Sequence, residues 1–144
     1  MIYMGGVKDV FENFKTINLT IGLPYISVTN NGVTFSKTAI VKIGSPSHVL
    51  LMMNEEEKQI AIRGIGEDDK DEDATPFVRS KNSSNLNVRW NNKDFLNTLS
   101  KMMNWNLEEQ GYRINGDYFS SENAMLFDFK NAYIIGEKDS ESDK

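Results

Sequence analysis

Apolar residues recur along this chain at two periods. Val7, Val10, Phe11 and Phe14 stand at i, i+3, i+4 and i+7, which predicts a short amphipathic helix over 7–15. It reads as a helix packed on its own domain, with a dimerisation or partner helix as the alternative. The period then changes to two. Residues 25–29 (YISVT) alternate, with Ile26 and Val28 on one face. Asn30-Asn31-Gly32 follows, then Val33-Thr34-Phe35. Asn and Gly both tolerate positive φ, so the stretch predicts a tight hairpin. Ser36 is placed to cap a short helix, Lys37 to Ile43, that turns Ala39, Ile40 and Ile43 inward. Gly44 ends it and Pro46 prevents its return. Residues 48–54 (HVLLMMN) predict a strand, 55–58 a turn, and 59–65 (QIAIRGI) a returning strand with Ile60 and Ile62 on one face.

After an acidic loop at 66–75 the order of elements repeats. Residues 76–80 (PFVRS) predict a strand, 81–85 a polar turn, and 86–90 (LNVRW) an alternating strand. Asn91 is the expected cap of a helix over 92–103, with Asp94 three residues on resembling a reciprocal capping box. That helix turns Phe95, Leu96, Leu99, Met102 and Met103 inward. Residues 111–119 and 124–135 predict a second hairpin. Both halves, 25–65 and 76–135, thus read strand–turn–strand–helix–strand–turn–strand. Val33-Thr34-Phe35-Ser36 echoes Val88-Arg89-Trp90-Asn91. Such units, too small to be stable singly, would bury their faces against each other. Common descent and coincidence both fit an echo of pattern with low identity.

The order YISVT, NNG, VTFS, KTAIVKIG and HVLLMMNEEEKQIAIRG resembles the SpoVT/AbrB swapped-hairpin family. The resemblance is one of order and spacing and covers under a third of the chain. It implies a barrel of paired hairpins, and it implies a relative of dimeric DNA-binding regulators and antitoxins. Two departures qualify that. Ser36 stands where the family has proline. The first hairpin offers Ser27, Thr29, Asn30 and Asn31 where the family carries arginines, and phosphate binding needs Lys or Arg. If the second half is a pseudo-repeat, one chain could supply both halves of the barrel.

Charge changes the picture in one respect. The formal net charge is -5. Residues 67–73 (EDDKDED) carry six acids and one lysine, and 137–144 four acids and two lysines. The remainder, with 13 basic and 11 acidic residues, is close to neutral. The acidity therefore belongs to one loop and one tail, not to the folded surface. The chain has 144 residues and no cysteine. That length suits one domain, 1–136, followed by a disordered acidic tail, 137–144. Without cysteine there is no disulfide, thiolate catalysis or Cys-based metal site. No apolar run approaches the roughly 18 residues of a membrane helix, and the N-terminus lacks the regions of a signal peptide. A cytoplasmic protein is expected.

No motif names a reaction. Asp69, Asp71 and Asp73 alternate as in the first half of a calcium loop, but Ala74 occupies the glycine position and Ser80 the place of the bidentate Glu. A solvated loop accounts for them. His48, the single histidine, has no nucleophile motif beside it. There is no phosphate-binding loop of the GxxxxGK[ST] type. No cofactor, metal or catalytic residue is assigned. Basic residues hold more interest. Arg63, Arg79, Lys81 and Arg89 fall on or beside strands, Trp90 adjoins Arg89, and Tyr112-Arg113 opens the later hairpin. Arginines next to aromatics can stack bases or hold phosphates, although ordinary solvent-facing strand residues look the same. Trp90 and Trp105 read as core.

The expected fold is α+β: a β-rich single domain, as a barrel of two ββαββ units with a short N-terminal helix. The expected function is that of a small non-enzymatic regulatory or binding protein, with Arg63, Arg79, Lys81 and Arg89 facing duplex DNA. The alternative is a protein-interaction module that engages a basic partner through Glu67, Asp68, Asp69, Asp71, Glu72 and Asp73 or through the N-terminal helix. A third reading is an unrecognised carboxylate-dependent enzyme. Monomer and homodimer both remain open.

Overall fold

The computed structural model describes residues 10–14, 22–66, 72–79 and 86–135. Strand β1 (Tyr25–Thr29) turns at Asn30-Asn31 into β2 (Gly32–Phe35), where Thr29 Oγ1 accepts from the Asn31 amide at 3.1 Å. Gly32 has φ +136, and a Cβ there would stand 2.6 Å from the Trp90 carbonyl oxygen, so the turn and the neighbouring strand both require glycine. Ser36 then opens helix α1 (Lys37–Lys42). Its Oγ accepts from the Ala39 amide at 3.2 Å and from the Tyr25 amide at 3.0 Å, so one hydroxyl caps a helix and ties it to β1.

Strands β3 (His48–Asn54) and β4 (Gln59–Ile65) form the next hairpin. Two short strands follow, β5 (Thr75–Pro76) and β6 (Val88–Trp90). Helix α2 (Lys93–Met103) is capped by Asn92, whose Oδ1 accepts from the Phe95 amide at 2.9 Å. The cap is thus one residue later than expected. Asn104 ends the helix in the left-handed conformation, φ 58. Strand β7 (Tyr112–Phe119) pairs with β8 (Ala124–Asp128). The last strand is interrupted where Asp128 Oδ1 accepts from the Lys130 amide, giving a 3-10 turn, Phe129–Asn131, before β9 (Tyr133–Ile134).

The sheet order corrects the expected fold class. All nine strands among the described residues belong to one curled antiparallel half-barrel, in the order β5-β3-β4-β8-β7-β1-β2-β6, with β9 beside β7. Strand makes up 40% and helix 19% of the described residues, with two α-helices. The fold is therefore mainly β, not α+β, and it does not divide into two ββαββ units. The strands formed there, Thr75–Pro76 and Val88–Trp90, do not pair with each other. Thr75 and Pro76 extend β3, while Val88–Trp90 pair with β2, at opposite ends of the order. The β7–β8 hairpin inserts between β1 and β4, so the halves interleave. Two strands of two and three residues would gain little from each other. Against longer neighbours they complete a shared core.

That core lies inside the curl. Ile26, Val33, Ile40, Ile60, Leu99, Ile114, Phe127 and others form one cluster drawn from strands and both helices. Gly116 lets the sheet wrap across it. A Cβ there would meet Phe127 Cε1 at 2.7 Å and Met125 Sδ at 2.8 Å. Trp105 is half-buried, stacked on Tyr112 at 3.8 Å and nearly parallel to it (7°), with Phe129 beyond.

Of the expected N-terminal helix only 10–14 is described, and there Val10, Phe11 and Phe14 are exposed rather than packed on the domain. The expected acidic tail, 137–144, lies outside the described residues.

Candidate nucleic-acid interface

Strand geometry alternates side chains between the two faces of a sheet. Ile26, Val28, Val33, Phe35, Val88 and Ile114 are buried on the inner face. Their neighbours Ser27, Thr34, Arg89 and Arg113 therefore stand on the outer one. The register aligns them. Arg89 pairs with Thr34, Thr34 with Ser27, Ser27 with Arg113, and Arg113 with Tyr133. One row thus crosses β6, β2, β1, β7 and β9. It reads arginine, two hydroxyls, arginine, tyrosine. With strands about 4.8 Å apart, the two arginine Cα atoms stand about 14 Å from each other.

The two arginines are held differently. Arg89 is exposed, and its Nε donates to Thr34 Oγ1 at 3.3 Å, which leaves its terminal amino groups uncommitted to any described residue. Arg113 is half-buried, its guanidinium carbon 4.1 Å from the centre of the Tyr25 ring. Its buried Nε has no hydrogen-bond partner. No described carboxylate forms a salt bridge with either arginine. The β1–β2 hairpin contributes no cation, in keeping with its sequence, but the strand on each side of it contributes one.

The other residues singled out from the sequence are scattered. Arg63 is exposed on β4, and its Nε donates to the Glu122 carbonyl at 3.3 Å, away from the row. Arg79 is exposed just after β5 and shares with Arg89 a groove considered below. Lys81 lies outside the described residues, as do Glu67, Asp68, Asp69 and Asp71; Glu72 and Asp73 are exposed before β5. Sequence reasoning noticed Arg113 but did not join it to Arg89, because only cross-strand register brings residues 24 positions apart onto one row.

Among the described residues no three or more His, Asp and Glu side chains come together to hold a metal ion. His48 begins β3, its Nδ1 3.0 Å from Ser47 Oγ. Among the described residues no helix is long and apolar enough to cross a membrane.

Comparison with known proteins returned no match among family models, curated proteins or solved structures.

Proposed function

We propose that this protein is a non-enzymatic nucleic-acid-binding module that holds single-stranded DNA or RNA across the outer face of its half-barrel. The observation that carries the reading is the row Arg89–Thr34–Ser27–Arg113–Tyr133. Two cations with no carboxylate partner among the described residues favour phosphates, whose binding releases counterions. Thr34 and Ser27 supply hydroxyls between them. Tyr25 and Tyr133 supply aromatic rings at the Arg113 end, where a base can stack on a ring or on the guanidinium plane. The AbrB-like order of the first five elements points towards duplex DNA. The outer face favours a single strand, because β1 and β2 are flanked by β7 and β6 in a broad sheet, which offers a shallow track rather than a helix or a free two-stranded ribbon to enter a major groove.

The test is fluorescence anisotropy of a labelled oligo-dT of about 15 nucleotides, within the site sizes of single-strand binders. The same sequence as a duplex serves as comparison, at low and moderate salt. The expected result is salt-sensitive binding that favours the single strand. The Arg89→Glu, Arg113→Glu double variant should lose it. Because Arg113 also packs on Tyr25, Ser27→Glu provides a second variant that adds a carboxylate to the row and removes no core contact. Absence of binding at low salt, or binding that survives both variants in folded protein, would overturn the proposal.

A further inference from the structure

The two edges of the half-barrel do not pair through their backbones. They meet where a side chain reaches the opposite edge: Trp90 on β6 donates from Nε1 to the Pro76 backbone carbonyl on β5 at 3.3 Å. Beside this bridge runs an open groove of about 350 Å³. Leu51, Trp90 and Phe95 give it apolar walls, and Arg79, Arg89 and Asn92 bring polar groups to it.

Arg79 and Arg89 bring the only charges to the groove among its described lining, and both are cations; Thr75 and Asn91 beside them can donate or accept. Arg79 and Arg89 are both exposed, and neither forms a salt bridge with a described residue. Asn92 Oδ1 accepts from the Phe95 amide, and its amino group remains to donate into the groove. The Pro76 carbonyl, the acceptor at the bridge, is taken by Trp90. Two guanidiniums that line one groove, with no salt-bridge partner among the described residues, favour an anion there. Guanidinium recognises phosphate through paired hydrogen bonds. The volume and the apolar walls leave room for more than the anion, within the range of small-ligand pockets.

We propose that this groove binds a nucleoside 5′-phosphate, with the phosphate between Arg79 and Arg89 and the base against the Trp90 and Phe95 wall. The ligand is either a free mononucleotide or the phosphorylated 5′ end of a strand. Arg89 belongs to both the groove and the outer row, so a strand lying on the row would have its end at the groove. The proposal rests on the outer-face reading only for that second source.

Isothermal titration of the full chain with dTMP, thymidine and inorganic phosphate tests it. The expected order has dTMP tightest, with each fragment weaker by about tenfold or more. Arg79→Gln, at an exposed position, should weaken dTMP by about tenfold, whereas Lys101→Gln, exposed on α2 and outside both row and groove, should leave it unchanged. An oligo-dT with and without a 5′-phosphate separates the sources. A preference for the phosphorylated end that Arg79→Gln abolishes assigns a strand end; dTMP binding without that preference assigns a free nucleotide. Loss of oligo-dT binding alone would strike the outer-face reading and leave the groove standing. Absence of dTMP binding together with no 5′-phosphate preference, or indifference of both to Arg79→Gln, would overturn it.

Discussion

The indole of Trp90 and the carbonyl of Pro76 join the two edges of a single sheet, 3.3 Å apart across the mouth of the half-barrel. Around that bond Phe35, Phe77 and Phe95 meet Trp90 edge-on, with ring centres 4.8–6.1 Å away. Bond and rings can be separated by substitution. Trp90→Phe keeps an aromatic ring and loses the donor, with an expected cost of about 1 kcal/mol. Trp90→Ala empties the cluster and should cost about 3 kcal/mol. Urea unfolding followed by circular dichroism measures both. Equal costs would show that the bridge, and not the packing, holds the seam.

Much of the local structure was legible in the sequence, and the sheet was not. Asn30, Asn31 and Gly32 announce the first hairpin because few residues accept the backbone that such a turn needs. Helix α2 follows from the spacing of Phe95, Leu96, Leu99 and Met102, although Asn92 rather than Asn91 reaches the Phe95 amide. The interruption at Asp128 escaped notice because Ala124 to Ile135 alternates well enough to pass for one strand. The strand order was out of reach for a different reason. Val88 and Trp90 complement Phe35 across β2, and nothing local to either segment records that. The row of Arg89 and Arg113 inherits the same difficulty, since the site is a product of register.

Gly116 stands where β7 passes from its pairing with β1 to its pairing with β8. Gly116→Ala would drive a methyl into Phe127 and Met125, and the expected cost is about 1–3 kcal/mol. If that crowding is the cause, Phe127→Leu should relieve part of it. The double variant would then be more stable than the two single costs imply, by about 0.5 kcal/mol or more. A double-mutant cycle in urea gives the answer, and strict additivity would place the strain elsewhere.

Ser36 joins β2 to α1 and caps the helix. Its φ of -67 would suit proline. Its hydrogen bonds would not. The Ser36 amide donates to the Tyr25 carbonyl at 3.0 Å, and its Oγ accepts from Tyr25 and Ala39. Ser36→Ala should cost about 2 kcal/mol through the lost cap and the unpaired Tyr25 amide. Ser36→Pro should cost more, because the donor goes as well. Thermal melts of the two variants would rank them, and a proline variant as stable as the parent would contradict this account of the junction.

Asp128 offers a pH test. Burial pushes its carboxyl up, but hydrogen bonds from the Lys130 backbone and ammonium and from Gln59, with the Lys130 charge, outweigh burial and hold it below the ordinary carboxylate value of 3.8. The Lys130 ammonium lies 3.2 Å from Asp128 Oδ1 and also donates to the Glu57 carbonyl. A carboxyl lowered on folding stabilises the fold at pH above its unfolded value. That contribution fades as pH falls through the lowered folded value. Asp128→Asn should therefore be less stable than the parent near neutrality, with the gap narrowing in acid. A gap that stays constant from neutral pH down to acid unfolding would remove Asp128 from the account.

The central claim is that nucleic acid lies along the outer row. Amide chemical-shift mapping by NMR, as a short oligo-dT is added to isotope-labelled protein, tests it most directly. The largest shifts should fall at Arg89, Thr34, Ser27, Arg113 and Tyr133 and on their neighbours in β6, β2, β1, β7 and β9, with β3 and β4 little changed. Shifts concentrated around Arg63 on β4, or none along the row at saturating oligonucleotide, would contradict the claim.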